Sequence, residues 1–128
     1  ILAESNKKKI NIANSKILVL GLTFKENCTD IRNSKTIDLI KLLNIENNIP
    51  YIYDPFVEDH NKLKIIDFKF LNNSPLLHKD KYDILFVATA HDEFTKIKSN
   101  IWANILKKNY IIYDVKGIMP RELNPLRI

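Results

Sequence analysis

Apolar positions along the chain follow two rhythms. Three runs, "KILVLGL" (residues 16–22), "DILFVAT" (83–89) and "YIIYDV" (110–115), are apolar at consecutive positions and rich in β-branched side chains. Uninterrupted runs of this length suit strands covered on both faces. A fourth, "PYIYD" (50–54), opens at a proline and stops at Asp54-Pro55, and a weaker fifth lies at 68–71. Between them the spacing becomes helical. In 34–46, Ile37, Ile40 and Leu43 are in register with Leu39 and Leu42 alongside, and in 100–107 Ile101 pairs with Ile105 and Trp102 with Leu106. Asn33 or Ser34 is placed to cap the first of these helices. Segments 59–65 and 74–79 have room for one or two helical turns each.

Strands alternating with helices through short connections predict an α/β fold of three α/β/α layers, with a five-stranded parallel sheet at its centre. Ligands gather at the carboxyl ends of the strands in such sheets. The functional candidates are therefore residues 23–32, Asp54, residues 90–94, and Lys116 with Gly117. Asp54 and Asp114 both close strands, where a carboxylate can cap or bond backbone amides. His91 reads as a loop histidine ordering the next turn, with Asp92 as a helix cap, and Trp102 reads as core.

With 128 residues, the chain is expected to hold one domain over residues 16–120, preceded by a lead-in helix or tail (1–15) and followed by a tail (121–128). A hydrophobic share of 45% with 27% charged residues suits a soluble globular protein; no run of about 18 apolar residues suggests a membrane span, and no signal peptide is evident. The single cysteine, Cys28, excludes an internal disulfide and fits a cytoplasmic setting. The net charge of +5 comes from lysines scattered along the chain, with only Lys7, Lys8 and Lys9 clustered. Without a recognition helix or an aromatic RNA-binding motif, this charge does not point to nucleic acid.

Only two glycines occur, Gly21 and Gly117, so the chain can build neither a Gly-rich dinucleotide turn nor a P-loop. The loop after the first strand instead carries Lys25, Asp30 and Arg32. Lysine can act there as a point charge on phosphate and arginine as a two-pronged donor.

That loop, "GLTFKENCTDIRNSK" (21–35), resembles the G-L-x-F-K-x-x-x-x-D-x-R signature that opens the C-terminal domain of the UDP-glucose/GDP-mannose dehydrogenase family. "YDP", "AHDEF" and "YDVKGI" follow after the second, fourth and last strands in the family's order, so the resemblance runs from about Lys16 to Gly117. It implies a Rossmann-like sheet of order 3-2-1-4-5. It further implies that Phe24, Lys25 and Lys116 contact the UDP part of a UDP-sugar, and that Arg32 reaches NAD bound mainly by a preceding domain.

The family reaction is an NAD-dependent oxidation of the sugar's C6 alcohol to a carboxylate, through a cysteine-bound intermediate. The spellings "ENCTDIRN" and "YDVKG" look most like the branch acting on UDP-N-acetylhexosamines in bacterial polysaccharide synthesis. The resemblance covers the C-terminal third of such an enzyme, and the expected partners are its N-terminal and central domains in a homodimer or larger assembly. Neither the glycine fingerprint nor the Gly-rich segment bearing the catalytic thiol is present, so the chain is expected to be inactive alone and Cys28 is not the nucleophile. The rival readings are a receiver-like phosphoacceptor domain using Asp54, Thr89 and Lys116, and a ligand-free interaction domain.

Overall fold

Five strands, β1 (Ile17–Leu20), β2 (Tyr51–Tyr53), β3 (Lys69–Phe70), β4 (Tyr82–Val87) and β5 (Leu106–Asp114), form one sheet in the order β3-β2-β1-β4-β5. Every pairing is parallel. The computed structural model describes residues 11–22, 35–56, 67–71, 73–77 and 82–126. The expected parallel sheet and its order are both present. Strand β1 occupies the centre, in register with β2 through Leu18 opposite Tyr51 and with β4 through Ile17 opposite Ile84.

Period-two alternation divides the core into two apolar layers. Ile17 and Val19 of β1 face Ile40 and Leu43 of helix α1 (Lys35–Ile45), together with Ile52, Ile84 and Ile111. Leu18 and Leu20 face the opposite layer, among Tyr53, Leu85, Phe94 and Trp102. Phe94 and Trp102 belong to two short helices, α2 (Asp92–Thr95) and α3 (Ser99–Ala103). All four residues of β1 are at most 1% exposed, which explains why its sequence is apolar throughout.

Two helical expectations need correction. Leu42 does not lie alongside the buried stripe of α1: it is 60% exposed, as Ile45 is at 74%. The helix expected over 100–107 ends at Ala103, because the next residues are taken by the sheet. The Ile105 carbonyl accepts the Tyr82 amide at 2.7 Å, and Leu106 is already opposite Tyr82. Ile101 is left at the surface while Ile105 is buried, so the two do not share a face. Beyond Leu106 the register shifts, Ile84 pairing with Ile111, and Lys107 turns back to Asp83 at 3.1 Å.

A short helical turn, Pro75–Leu77, falls within the segment 74–79 expected to hold one. Segment 59–65 and the cap positions Asn33 and Ser34 lie outside the described residues. Near the start, Ile12 is buried in the α1 layer, and Asn48 donates to the carbonyls of Ile12 (2.6 Å) and Ser15 (2.8 Å). At the other end, Leu123 is buried and Leu126 bridges to Tyr113. No helix among the described residues is long and apolar enough to cross a membrane.

Candidate functional site

The carboxyl ends of β1, β2, β4 and β5 bring Leu22, Asp54, His91 and Asp114 to one edge of the sheet. At the end of β1 the chain turns through Gly21, whose φ of +101° is open to glycine and strained for other residues. A Cβ there would run into the Thr89 side chain and come within 2.9 Å of the Thr89 amide nitrogen, so glycine is required by packing as well as by conformation. The Gly21 amide donates to the Tyr53 carbonyl at 2.9 Å, and the Leu22 amide donates to Asp54 Oδ2 at 2.6 Å. The two described amides at the end of β1 are therefore already engaged within the protein.

Asp54 is 2% exposed and uses both carboxylate oxygens. Oδ1 accepts the Phe56 amide at 2.8 Å, and Oδ2 lies 3.0 Å from His91 Nε2 while accepting from Leu22. Burial alone would push this carboxyl up; the bonds from His91, Leu22 and Phe56 outweigh it and hold the group below its ordinary range. The expected amide-bonding role of a strand-closing aspartate is thus realised. It leaves no oxygen for phosphoryl acceptance, and Asp54 closes the second strand where the receiver-like reading needs the third.

His91 is 0% exposed and sits between Phe56 and Phe94, with ring centroids 4.7 Å and 5.6 Å away. It occupies the cap position of α2, and its carbonyl accepts the Phe94 amide at 2.9 Å while its side chain turns inward. Asp92, expected to be the cap, is instead the first residue inside the helix, where its charge complements the helix dipole. Burial and then neighbouring Glu93 push the Tyr53 hydroxyl pKa up, so this phenol remains protonated.

At the end of β5, Asp114 repeats the pattern seen at Asp54. It is fully buried, its Oδ1 accepting the Ile118 amide at 3.0 Å and its Oδ2 the Met119 amide at 2.9 Å. The intervening turn exposes Lys116 and passes through Gly117 at φ +70°. Lys116 is thus presented to solvent beside the strand ends. Phe24, Lys25, Cys28, Asp30 and Arg32 lie outside the described residues.

The residue missed by sequence reasoning is His91 as the partner of Asp54. The signal for it was topological, since β2 and β4 flank β1 and their end residues can meet across it. Two open hollows, of about 420 and 310 Å³, lie at the opposite edge of the sheet, near Asp83 and Lys107 and near Lys16 and Tyr51. Neither includes a residue of the carboxyl-edge group.

A family model described as the UDP-glucose/GDP-mannose dehydrogenase family, UDP binding domain, matches residues 18–121. UDP-N-acetyl-D-glucosamine 6-dehydrogenase of Salmonella typhi is 35% identical over 125 residues, covering 95% of this chain and 28% of that protein. UDP-N-acetyl-D-mannosamine dehydrogenase of Methanococcus vannielii is 32% identical over 123 residues, 93% of this chain and 26% of that protein. The structure of NDP-N-acetyl-D-galactosaminuronic acid dehydrogenase from Methanosarcina mazei Go1 superposes with a TM-score of 0.80 over 99% of this chain and 26% of that one, at 17% identity, a likeness of fold. The chain thus spans little more than a quarter of the length of these relatives.

Proposed function

Since the chain belongs to the UDP-glucose/GDP-mannose dehydrogenase family, as its UDP binding domain, we propose that it holds the diphosphate of a UDP-sugar at the carboxyl edge of its sheet. The parent activity on this reading is the NAD-dependent oxidation of a UDP-sugar at C6, carried out in the cytoplasm by an assembly of at least two subunits. A UDP-N-acetylhexosamine is the favoured substrate, supported by the relatives that act on UDP-N-acetyl-D-glucosamine and UDP-N-acetyl-D-mannosamine.

The supporting observation is the clasp at the end of β1. Asp54 fixes the Leu22 amide, and Lys25 follows three residues later in the sequence. With the Gly21 and Leu22 amides occupied, charged side chains are the favoured partners for the phosphates on this reading. Lys25 supplies that charge, Phe24 packs against the nucleotide, and Lys116 approaches from the β5 turn as a second point charge.

NAD does not fit the described residues. Thr89 fills the space beside Gly21, the neighbouring amides are engaged, and the chain lacks the further glycines of a dinucleotide turn. NAD therefore belongs chiefly to another domain of the parent, with Arg32 as the contribution from this one, and the chain alone oxidises no UDP-sugar.

Calorimetric titration with UDP tests the assignment. Removing a charged contact to phosphate lowers affinity by roughly tenfold to a hundredfold, the loss expected for Lys25→Ala. Equal UDP affinity in the wild type and Lys25→Ala rejects the site.

A further inference from the structure

We propose that Asp54 and His91 are positioning residues for nucleotide recognition: together they fix the Leu22 backbone at the end of β1, two residues before Phe24 and three before Lys25 in the sequence. The inference rests on the UDP-binding reading and adds two residues that touch no ligand.

Topology supplies the first argument. In the order β2-β1-β4, Asp54 and His91 come from the strands on either side of β1 and join across its end. The Leu22 amide, within the opening Gly-Leu of the signature segment, is bonded to the same oxygen that faces His91. Three strand ends are thereby tied through one atom.

Chemistry supplies the second. A buried carboxylate held by a polar partner is a poor means of gaining stability, because apolar side chains of similar volume usually do as well. An apolar replacement could fill the space between Phe56 and Phe94, which already enclose the imidazole. An apolar residue in place of Asp54 could not accept the Leu22 amide, and one in place of His91 could not hold that acceptor in one orientation. Both side chains are fully shielded from solvent, so a catalytic acid or base role is closed to them and an orienting one is not.

The test compares wild type, His91→Gln and His91→Phe by UDP titration, each at a temperature where circular dichroism shows it folded. Glutamine carries a side-chain N–H that can replace imidazole Nε2; phenylalanine keeps the packing and loses the donor. His91→Phe is expected to weaken UDP binding about tenfold or more, and His91→Gln to restore it to within about threefold of wild type. A purely structural histidine would lower the melting temperature of His91→Phe and leave the affinity of the folded molecules unchanged, which overturns the proposal. So does a loss in His91→Gln as large as in His91→Phe. Should His91→Phe not fold, Asp54→Asn takes its place, with the same tenfold loss expected and unchanged affinity overturning the role. Absence of UDP binding by the wild type rejects the underlying site; binding that is equal in all variants rejects the positioning role alone.

Discussion

Asp54 and His91, 37 residues apart in sequence, meet in the interior with Oδ2 and Nε2 separated by 3.0 Å. The folded state holds the Asp54 carboxyl below its ordinary value of 3.8. The unfolded chain therefore takes up this proton first as the solution is acidified. Stability from Asp54 is complete above that ordinary value and disappears as pH falls through the lower folded-state value. Urea midpoints followed from neutral pH into acid should drop steeply for wild type and less so for Asp54→Asn, which starts less stable. Parallel curves would exclude Asp54 as a source of the acid sensitivity.

Gly21 is required twice over, by its φ of +101° and by its contact with Thr89. Gly21→Ala should cost about 2 to 5 kcal/mol, combining left-handed strain with overpacking. Adding Thr89→Gly should recover only part of this loss, because the conformational strain remains. An unchanged denaturation midpoint for Gly21→Ala would show that the turn relaxes freely.

Asp114 holds the turn carrying Lys116 through the amides of Ile118 and Met119. Hydrogen bonds to a charged acceptor contribute about 1.5 to 3 kcal/mol, so Asp114→Ala should destabilise the fold by at least that much. Both amides should then exchange faster with deuterium. Retained protection at both would assign the turn's order to other contacts.

Lys116 is exposed, and its replacement should barely change stability. On the proposed reading, Lys116→Ala weakens UDP binding several-fold while Lys116→Arg retains it, since arginine keeps the charge and presents its donors as a planar fork. Cys28→Ser should leave UDP affinity unaltered. A large loss with Cys28→Ser would place the thiol at the nucleotide after all.

The sheet was legible because its strands are buried on both faces, so β1, β4 and β5 announce themselves as apolar runs. The amide-bonding aspartates were legible too, since a strand-closing carboxylate has few other uses. The partnership of His91 with Asp54 was not, because it depends on which strands flank β1, a long-range fact carried by no local pattern. The short α3 was overestimated for a related reason: Ile105 and Leu106 have helical spacing from Ile101 and Trp102, but the sheet takes up their backbone.

The bridge between Leu126 and Tyr113 closes part of the outer edge of β5. Leu126 accepts the Asp114 amide at 2.8 Å and donates to the Ile112 carbonyl at 2.8 Å, covering the C-terminal end of the outward hydrogen-bonding row of β5. An uncovered row of that kind is a template for strand addition. Cutting the chain after Pro120 should uncover these two groups and leave that end of β5 open to pairing with another strand.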